Sequence, residues 1–355
     1  RFEERYARYL GVRHAFMTAS GTNALTAALV GLRIGPGDEV IVPACTYMAT
    51  AAAVLAAGAI PVVADIDASI TLDPAALDSM AGPRTRAVIP VHMWGLPCDM
   101  DRILEVAERH DLAVVEDACQ AVGGGYKGKK LGSFGHASAF SFNYYKNITA
   151  GEGGAVVSND ERVMERARCL VDCCSFYWEG RDEYTEHFVS NGARATEIAG
   201  AILNVQLDGL DDMIESMRTQ KKRILAETAD CGLDTAPTHS LDSECGTHVM
   251  FQLPDADTAD AFAKRTGGTV TAKTGRHVYT EWTPVLDRKG AHCAPLNPYH
   301  LAENRGCRMD YSREMCARSL EILHRTVMVS THPDRTEDEL TQRIETIRSA
   351  ADELL

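Results

Sequence analysis

No run of apolar residues in this chain approaches the roughly 20 needed to cross a bilayer, and no charged-then-apolar leader opens it. A membrane span is therefore not expected. Basic residues are scarce beside acidic ones, 36 Lys and Arg against 50 Asp and Glu, for a formal charge of −14. That balance disfavours nucleic acid and anionic membrane as partners. The 11 cysteines never form a C-x-x-C pair, and their odd number builds no even disulfide framework. No metal site is expected, although Cys169 lies one helical turn before the adjacent Cys173 and Cys174. Free thiols in a reducing cytoplasm are the simpler reading, and cytoplasmic location is the expectation. No Gly-x-Gly-x-x-Gly follows the first strand-like run, and Gly123-Gly124-Gly125 lacks a later acidic partner, which argues against a dinucleotide-binding enzyme. A basic helix-turn-helix, an internal repeat and a low-complexity linker are also missing.

What is present is ordinary for a soluble enzyme: 45% hydrophobic and 24% charged residues over 355 positions. At about 150 residues per domain, that length suggests two domains. The chain begins at Arg1 rather than Met, so its native N-terminus is expected to be trimmed or disordered. Helical and strand-like patterns alternate along the first two-thirds. Strands are expected at 14–18, 39–43, 60–65, 86–91, 112–117 and 137–143. Helices are expected at 2–10, 22–32, 47–57, 73–81 and 99–110. Near-continuous apolar strands in such an order predict a mostly parallel central sheet flanked by helices. A helical connector is expected over 196–228, with a break near Gly209. Strands at 247–253 and 268–273, a helix at 256–265 and a terminal amphipathic helix at 336–355 make a smaller α+β unit. The expected division is 1–225 for the large domain and 226–355 for the small one.

Lys146 is the most informative residue. A small, apolar, strand-like segment precedes it and Gly151-Glu152-Gly153-Gly154 follows, so backbone can approach a ligand closely there. A partly buried lysine acts as a nucleophilic amine toward carbonyls, and pyridoxal phosphate is the commonest such carbonyl. Ser20-Gly21-Thr22-Asn23-Ala24 joins a strand to a helix whose first N–H groups suit a phosphate. A helix cap by Ser20 or Thr22 is the alternative. Asp117 ends a strand at the edge where ligands bind in parallel sheets, and a carboxylate there can keep a pyridine nitrogen protonated. Capping the next turn is its other reading. Glu116 should point to the opposite face. Tyr47 could stack on a planar cofactor or pack in the core. His92, also at a strand end, reads equally as catalytic or structural.

Taken together, Ser20-Gly21-Thr22-Asn23-Ala24-Leu25, Gly35-Pro36-Gly37-Asp38 leading into Glu39-Val40-Ile41-Val42-Pro43, Val91-His92-Met93-Trp94-Gly95, Glu116-Asp117-Ala118-Cys119-Gln120-Ala121, and Ser141-Phe142 through Lys146 to Gly154 resemble the DegT/StrS-type aminotransferases. These are fold type I enzymes of pyridoxal phosphate that aminate keto sugars and cyclitols. The resemblance runs over about 2–218. It implies that Lys146 holds the cofactor as a Schiff base and, once freed, moves a proton as base and acid. Asp117 would meet the pyridine nitrogen and Gln120 would lie near the ring hydroxyl. Gly21, Thr22 and Ser141 would contact the phosphate, and Tyr47 would stack on the ring. It further implies a homodimer with shared active sites, in which Asn191 of a neighbouring subunit completes the phosphate site. The amino donor would be L-glutamate or L-glutamine, with pyridoxamine phosphate as the intermediate form and an oxo compound as acceptor.

The chain departs from the family pattern in four places. Asn191-Gly192-Ala193-Arg194 sets the asparagine one residue further from the arginine. Asn143 replaces a small residue or histidine. The usual segment before Phe2 is absent, and the C-terminal third matches poorly. In that third, Arg276, His277, Tyr279 and Trp282 are candidates for substrate contact, the alternative being a strand end with packed aromatics. A dehydratase or racemase of the same fold, or a non-catalytic protein built on it, is the competing reading. The dehydratases carry histidine where this chain has Lys146.

Overall fold

The apolar runs of the first two-thirds become strands buried on both faces, because successive side chains serve opposite cores. The computed structural model describes residues 1–173 and 188–355, so Cys174 lies outside the described residues. The strands are β1 (His14–Thr18), β2 (Glu39–Pro43), β3 (Ile60–Ala64), β4 (Thr85–Val88) and β5 (Ala113–Asp117), then a short hairpin of β6 (Gly125–Tyr126) and β7 (Lys129–Lys130), then β8 (Ala137–Ser141) and β9 (Gly154–Ser158). Seven of them form one sheet in the order β1-β9-β8-β5-β4-β2-β3. Only β9 runs against its neighbours. Val40, Val42, Val63, Val115 and Ala139 enter one core with the helices Gly21–Gly31 and Ala49–Ala56. Ile41, Val62, Val114 and Phe140 enter the other, against Phe2–Leu10 and Met100–Arg109. This period-two partition makes the strands read as unbroken hydrophobic runs.

A second, antiparallel sheet has the order β10 (Asp234–Thr235), β11 (His248–Gln252), β13 (Thr326–Ser330), β12 (Thr269–Val270). It has its own core, in which Phe251, Val327 and Val329 meet Phe262, Ile344 and Ile347 of the helices Ala256–Thr266 and Glu337–Leu354. The helix Leu210–Glu227 leads into it, and the expected break lies at the 3-10 turn Leu207–Gly209. Val278, Tyr279, Trp282 and Tyr299 instead join the first core of the large sheet. The segment after them is latched to the sheet's amino-terminal edge. Arg308 pairs with the buried Glu39, and the Asn304 amide donates to Gly58 O at 2.9 Å.

Two expectations fail locally for identifiable reasons. The strand expected over 268–273 stops at Val270 and continues as the 3-10 turn Thr271–Lys273, where the buried Thr271 hydroxyl donates to Leu323 O at 2.8 Å. The helix expected from Tyr47 starts at Ala49. Cys45 pairs as an antiparallel bridge with Val278, and Tyr279 N–H donates to Ala44 O at 3.0 Å. That pairing engages the segment just before Tyr47, and the helix begins only after a turn at Met48.

The carboxyl ends of β1, β5 and β8 converge on one edge, and Glu116 anchors that edge from behind. Its carboxylate, fully buried, accepts from the N–H groups of Gly132 (2.8 Å), Phe134 (2.7 Å) and Gly135 (2.7 Å), from the Ser138 hydroxyl (3.2 Å) and from His92 Nε2 (3.0 Å). Burial alone would raise the carboxyl's pKa; the bonds from His92 and the backbone outweigh it and hold the group below its usual range. Replacing Glu116 with Leu would strand these buried donors, each costing on the order of 1–3 kcal/mol. We expect Glu116→Leu to lower unfolding free energy by about 3 kcal/mol or more, measured by urea denaturation. An unchanged midpoint would remove Glu116 from this role.

Candidate active site

At the carboxyl edge of the sheet lies a cavity of about 520 Å³ whose walls include Lys146, Asp117, Gln120, Tyr47, Ser141 and Arg276. Open parallel sheets bind ligands at this edge. Each wall residue is placed by a local device.

Lys146 sits in a tight loop between β8 and β9. The loop is closed by Ala150 N–H and the Thr149 hydroxyl, both donating to Phe142 O at 3.0 and 3.2 Å, and is pinned by the Asn147 amide on Val122 O at 2.8 Å. Among the described residues no carboxylate pairs with its amine, which leaves the nitrogen available to a ligand. The loop returns through Gly154, where a Cβ would come within 2.5 Å of Ser20 C and O and 2.7 Å of Gly21 N. Glycine is required there because backbone crosses backbone.

Asp117 is 5% exposed. One oxygen accepts from the Thr50 hydroxyl at 2.8 Å and the other from Cys119 N–H at 3.1 Å. The Thr46 hydroxyl in turn lies 2.8 Å from that of Thr50. Two neutral donors fix the carboxylate without neutralising it, so its negative charge remains for a cation or an acidic N–H in the cavity.

The helix Gly21–Gly31 starts at the cavity wall, where its unpaired N–H groups favour an anion. Ser20 also caps this helix, its hydroxyl accepting from Asn23 N–H at 3.2 Å, so capping and an exposed helix start coexist. A Cβ on Gly21 would lie 2.8 Å from both Cys119 Sγ and Ser141 Cβ. Only glycine leaves this seat open. Gln120 takes part through its side-chain oxygen, which accepts from Trp94 N–H at 3.4 Å. Tyr47, half exposed, and Thr22 also face the cavity. An amine, an unneutralised carboxylate, an aromatic ring and a helix start cleared by glycine are the donor set that pyridoxal phosphate requires.

Of the substrate candidates, Arg276 and His277 line the cavity and three others do not. His92 is fully buried behind the edge, Nε2 on Glu116 and Nδ1 accepting from Cys98 N–H at 3.2 Å, so its role is structural. Tyr279 is buried with its hydroxyl on Arg313 O at 2.5 Å, and Trp282 is buried in the first core. Both are corrections to the sequence reading. The Ala44 and Cys45 pairing that turns His277 toward the cavity carries the following residues into the core. Asn191 is exposed and absent from this chain's cavity wall, although Ala193 O accepts from Ala19 N–H at 2.7 Å beside the Ser20 turn.

Sequence reasoning missed Thr50, Thr247 and His248 and quoted Trp94 only within a motif. Thr50 lies four residues after Thr46, which is its one sequence signal. Trp94 has φ 51°, uncommon for a bulky side chain, and its carbonyl accepts from the Thr247 hydroxyl at 2.5 Å. His277 packs its ring on Trp94 (centroids 5.5 Å) and Tyr47 (6.1 Å). Burial, then the charges of Arg276 and Lys146, push its pKa down to about 4. Burial and the charge of Lys221 push His248 down to about 4 as well.

A sequence model of the DegT/DnrJ/EryC1/StrS aminotransferase family matches residues 1–348. The chain is 46% identical to GDP-perosamine synthase of Caulobacter vibrioides over 215 residues, 59% of this chain but only 56% of that enzyme's length. It is 31% identical over 350 residues to L-glutamine:2-deoxy-scyllo-inosose aminotransferase of Streptomyces fradiae, covering 94% of this chain and 82% of the other. Among solved structures, an aminotransferase from Psychrobacter cryohalolentis superposes with a TM-score of 0.81 at 27% identity, over 99% of this chain and 91% of that one. The fold is that of the fold type I pyridoxal phosphate aminotransferases.

Both lowered histidines predict acid sensitivity. Folded, they protonate near pH 4; unfolded, near the ordinary 6.5. The unfolded chain binds more protons between these values, so their contribution to stability falls as pH drops from about 6.5 toward 4. Histidine NMR titration should show two rings that stay neutral at pH 5; an ordinary midpoint for His277 would refute its placement.

Proposed function

The chain belongs to the DegT/DnrJ/EryC1/StrS aminotransferase family, and on that premise we propose that it is a pyridoxal-phosphate-dependent aminotransferase moving an amino group from L-glutamate or L-glutamine to a keto sugar or related oxo compound. The observation that carries this reading is the meeting of the Lys146 amine, the Asp117 carboxylate and the Gly21 helix start in one cavity. Bound pyridoxal phosphate supplies an electron sink for a carbanion next to nitrogen.

The chain's own residues do the rest. Gly21 and Thr22 N–H groups with the Ser141 hydroxyl hold the phosphate. Asp117, oriented by Thr50 and Cys119 N–H, keeps a proton on the pyridine nitrogen. Tyr47 would cover the ring face and Gln120 would lie near the ring hydroxyl. Lys146 Nζ would hold the cofactor through its aldehyde carbon and, once an incoming amine takes over that bond and frees the lysine, would serve as the base and acid that moves a proton. Donor and acceptor use the same seat in turn. Glutamine as donor and an inosose as acceptor have a parallel in the name of the Streptomyces fradiae relative, and the Caulobacter relative is named for GDP-perosamine.

The reading includes a homodimer. Ile198, Ile202 and Val205 make an exposed apolar stripe at i, i+4, i+7 on the helix Glu197–Gln206, and Tyr144 and Tyr145 are exposed on the lysine loop. A second copy covering these residues would bring its Asn191 toward the phosphate seat. No helix among the described residues is long and apolar enough to cross a membrane.

Purified protein loaded with pyridoxal phosphate should absorb in the visible, lose that band with L-glutamate or L-glutamine and release the corresponding oxo acid. Lys146→Arg should abolish both band and turnover, since a guanidinium keeps its proton at any working pH. Asp117→Asn should bind cofactor but turn over on the order of a hundredfold slower or worse, about 2.7 kcal/mol of barrier. Full turnover by Lys146→Arg would end this proposal.

A further inference from the structure

Arg276 is an exposed cation in the cavity wall. Among the described residues no carboxylate pairs with its guanidinium; its recorded neighbour is the exposed Tyr145 ring, 5.9 Å from the guanidinium carbon. Three arginines of the C-terminal third do pair with carboxylates: Arg308 with Glu39, Arg318 with Asp73 at 2.7 Å and Arg348 with Asp230 at 2.6 Å. In a chain of formal charge −14 carboxylate partners are plentiful, so an unpaired arginine in a cavity stands out.

Its position is held. Two residues on, Val278 bridges Cys45, and Tyr279 N–H donates to Ala44 O at 3.0 Å, which ties this segment to the carboxyl end of β2. Between them His277 packs on Trp94 and Tyr47, and its Nδ1 is buried without a hydrogen-bond partner. The ring is neutral at working pH and adds no competing positive charge. Lys146 and Arg276 both act on it electrostatically, so the reactive amine and the free guanidinium flank one spot of wall. The Gly21 seat, built from other elements, already accounts for the cofactor's phosphate.

We propose that Arg276 receives an anionic group of the substrate, a carboxylate or a phosphate, and thereby decides which compounds react at Lys146. This deepens the aminotransferase reading and rests on it. A guanidinium binds a planar carboxylate or a phosphate through two parallel N–H···O bonds. An amino-acid donor carries a carboxylate on the reacting carbon, and an acceptor linked to a nucleotide or to a sugar acid carries phosphate or carboxylate. The shared chemistry is the anionic oxygen pair.

The test is isothermal titration calorimetry on the full chain loaded with pyridoxal phosphate, using glutarate and inorganic pyrophosphate as unreactive probes. At least one should bind the parent protein and bind Arg276→Gln on the order of tenfold more weakly, with Arg276→Lys between them because charge persists without the fork. Weakening confined to glutarate assigns the site to the amino donor. Weakening confined to pyrophosphate assigns it to a phosphate-bearing acceptor. Equal binding by all three proteins, or no binding of either probe to the parent, overturns the proposal. A chain that takes up no pyridoxal phosphate fails the aminotransferase reading instead, and the same titration on unloaded protein still decides Arg276.

Discussion

Two acids, Glu116 and Asp117, end the central strand β5, and the pleat sends them to opposite faces. Burying neighbouring carboxylates at a sheet edge is costly unless each is satisfied. Glu116 is satisfied by the protein alone. Three backbone N–H groups, a serine hydroxyl and His92 consume its charge and tie the 132–135 loop and the segment after β4 to the strand. Asp117 receives only one hydroxyl and one N–H, so part of its hydrogen-bonding capacity faces the cavity. The first acid fixes the edge and the second uses it.

The same economy governs the approach of the chain to the ligand. Three segments cross within van der Waals distance at the Ser20 turn: the helix start, the end of β8 and the return of the lysine loop. Gly21 and Gly154 are the residues whose missing Cβ permits this. A methyl group at either would push the helix start away from Ser141 or the lysine loop away from Ser20. The open helix start at the cavity is therefore a consequence of backbone packing that any bulkier residue would undo, and its glycines cost conformational entropy on folding.

Much of this was legible in the sequence for a physical reason. Strands buried on both faces must be continuously apolar, and glycine-rich returns beside a lysine leave few alternatives, so the sheet, Lys146, Asp117 and the Gly21 turn could be read directly. Thr50 could not, because a threonine inside an alanine-rich helix looks like filler until the fold brings it to Asp117. His92 and Asp117 both sit at strand ends, and sequence does not reveal that one side chain turns behind the edge while the other turns into the cavity. Tyr279 and Trp282 read either as substrate contacts or as packed aromatics. Their direction is set by pairing with Ala44 and Cys45, more than 230 positions earlier in the chain, which no local pattern encodes.

That long-range pairing also explains how the C-terminal third, which the family model matches through residue 348, serves a cavity built by the first half. The segment from Val278 to Trp282 packs in the core of the large sheet, while Asn304 and Arg308 clamp its amino-terminal edge. Anchored on both sides, the intervening loops can vary in length and composition without disturbing Lys146 or Asp117. Arg276 and His277 lie at the exposed end of that anchored run, where variation alters the wall and leaves the reacting centre in place. The cavity thus draws its walls from two parts of the chain: Gly21, Asp117 and Lys146 come from the first half, and Arg276 and His277 are delivered by the C-terminal third.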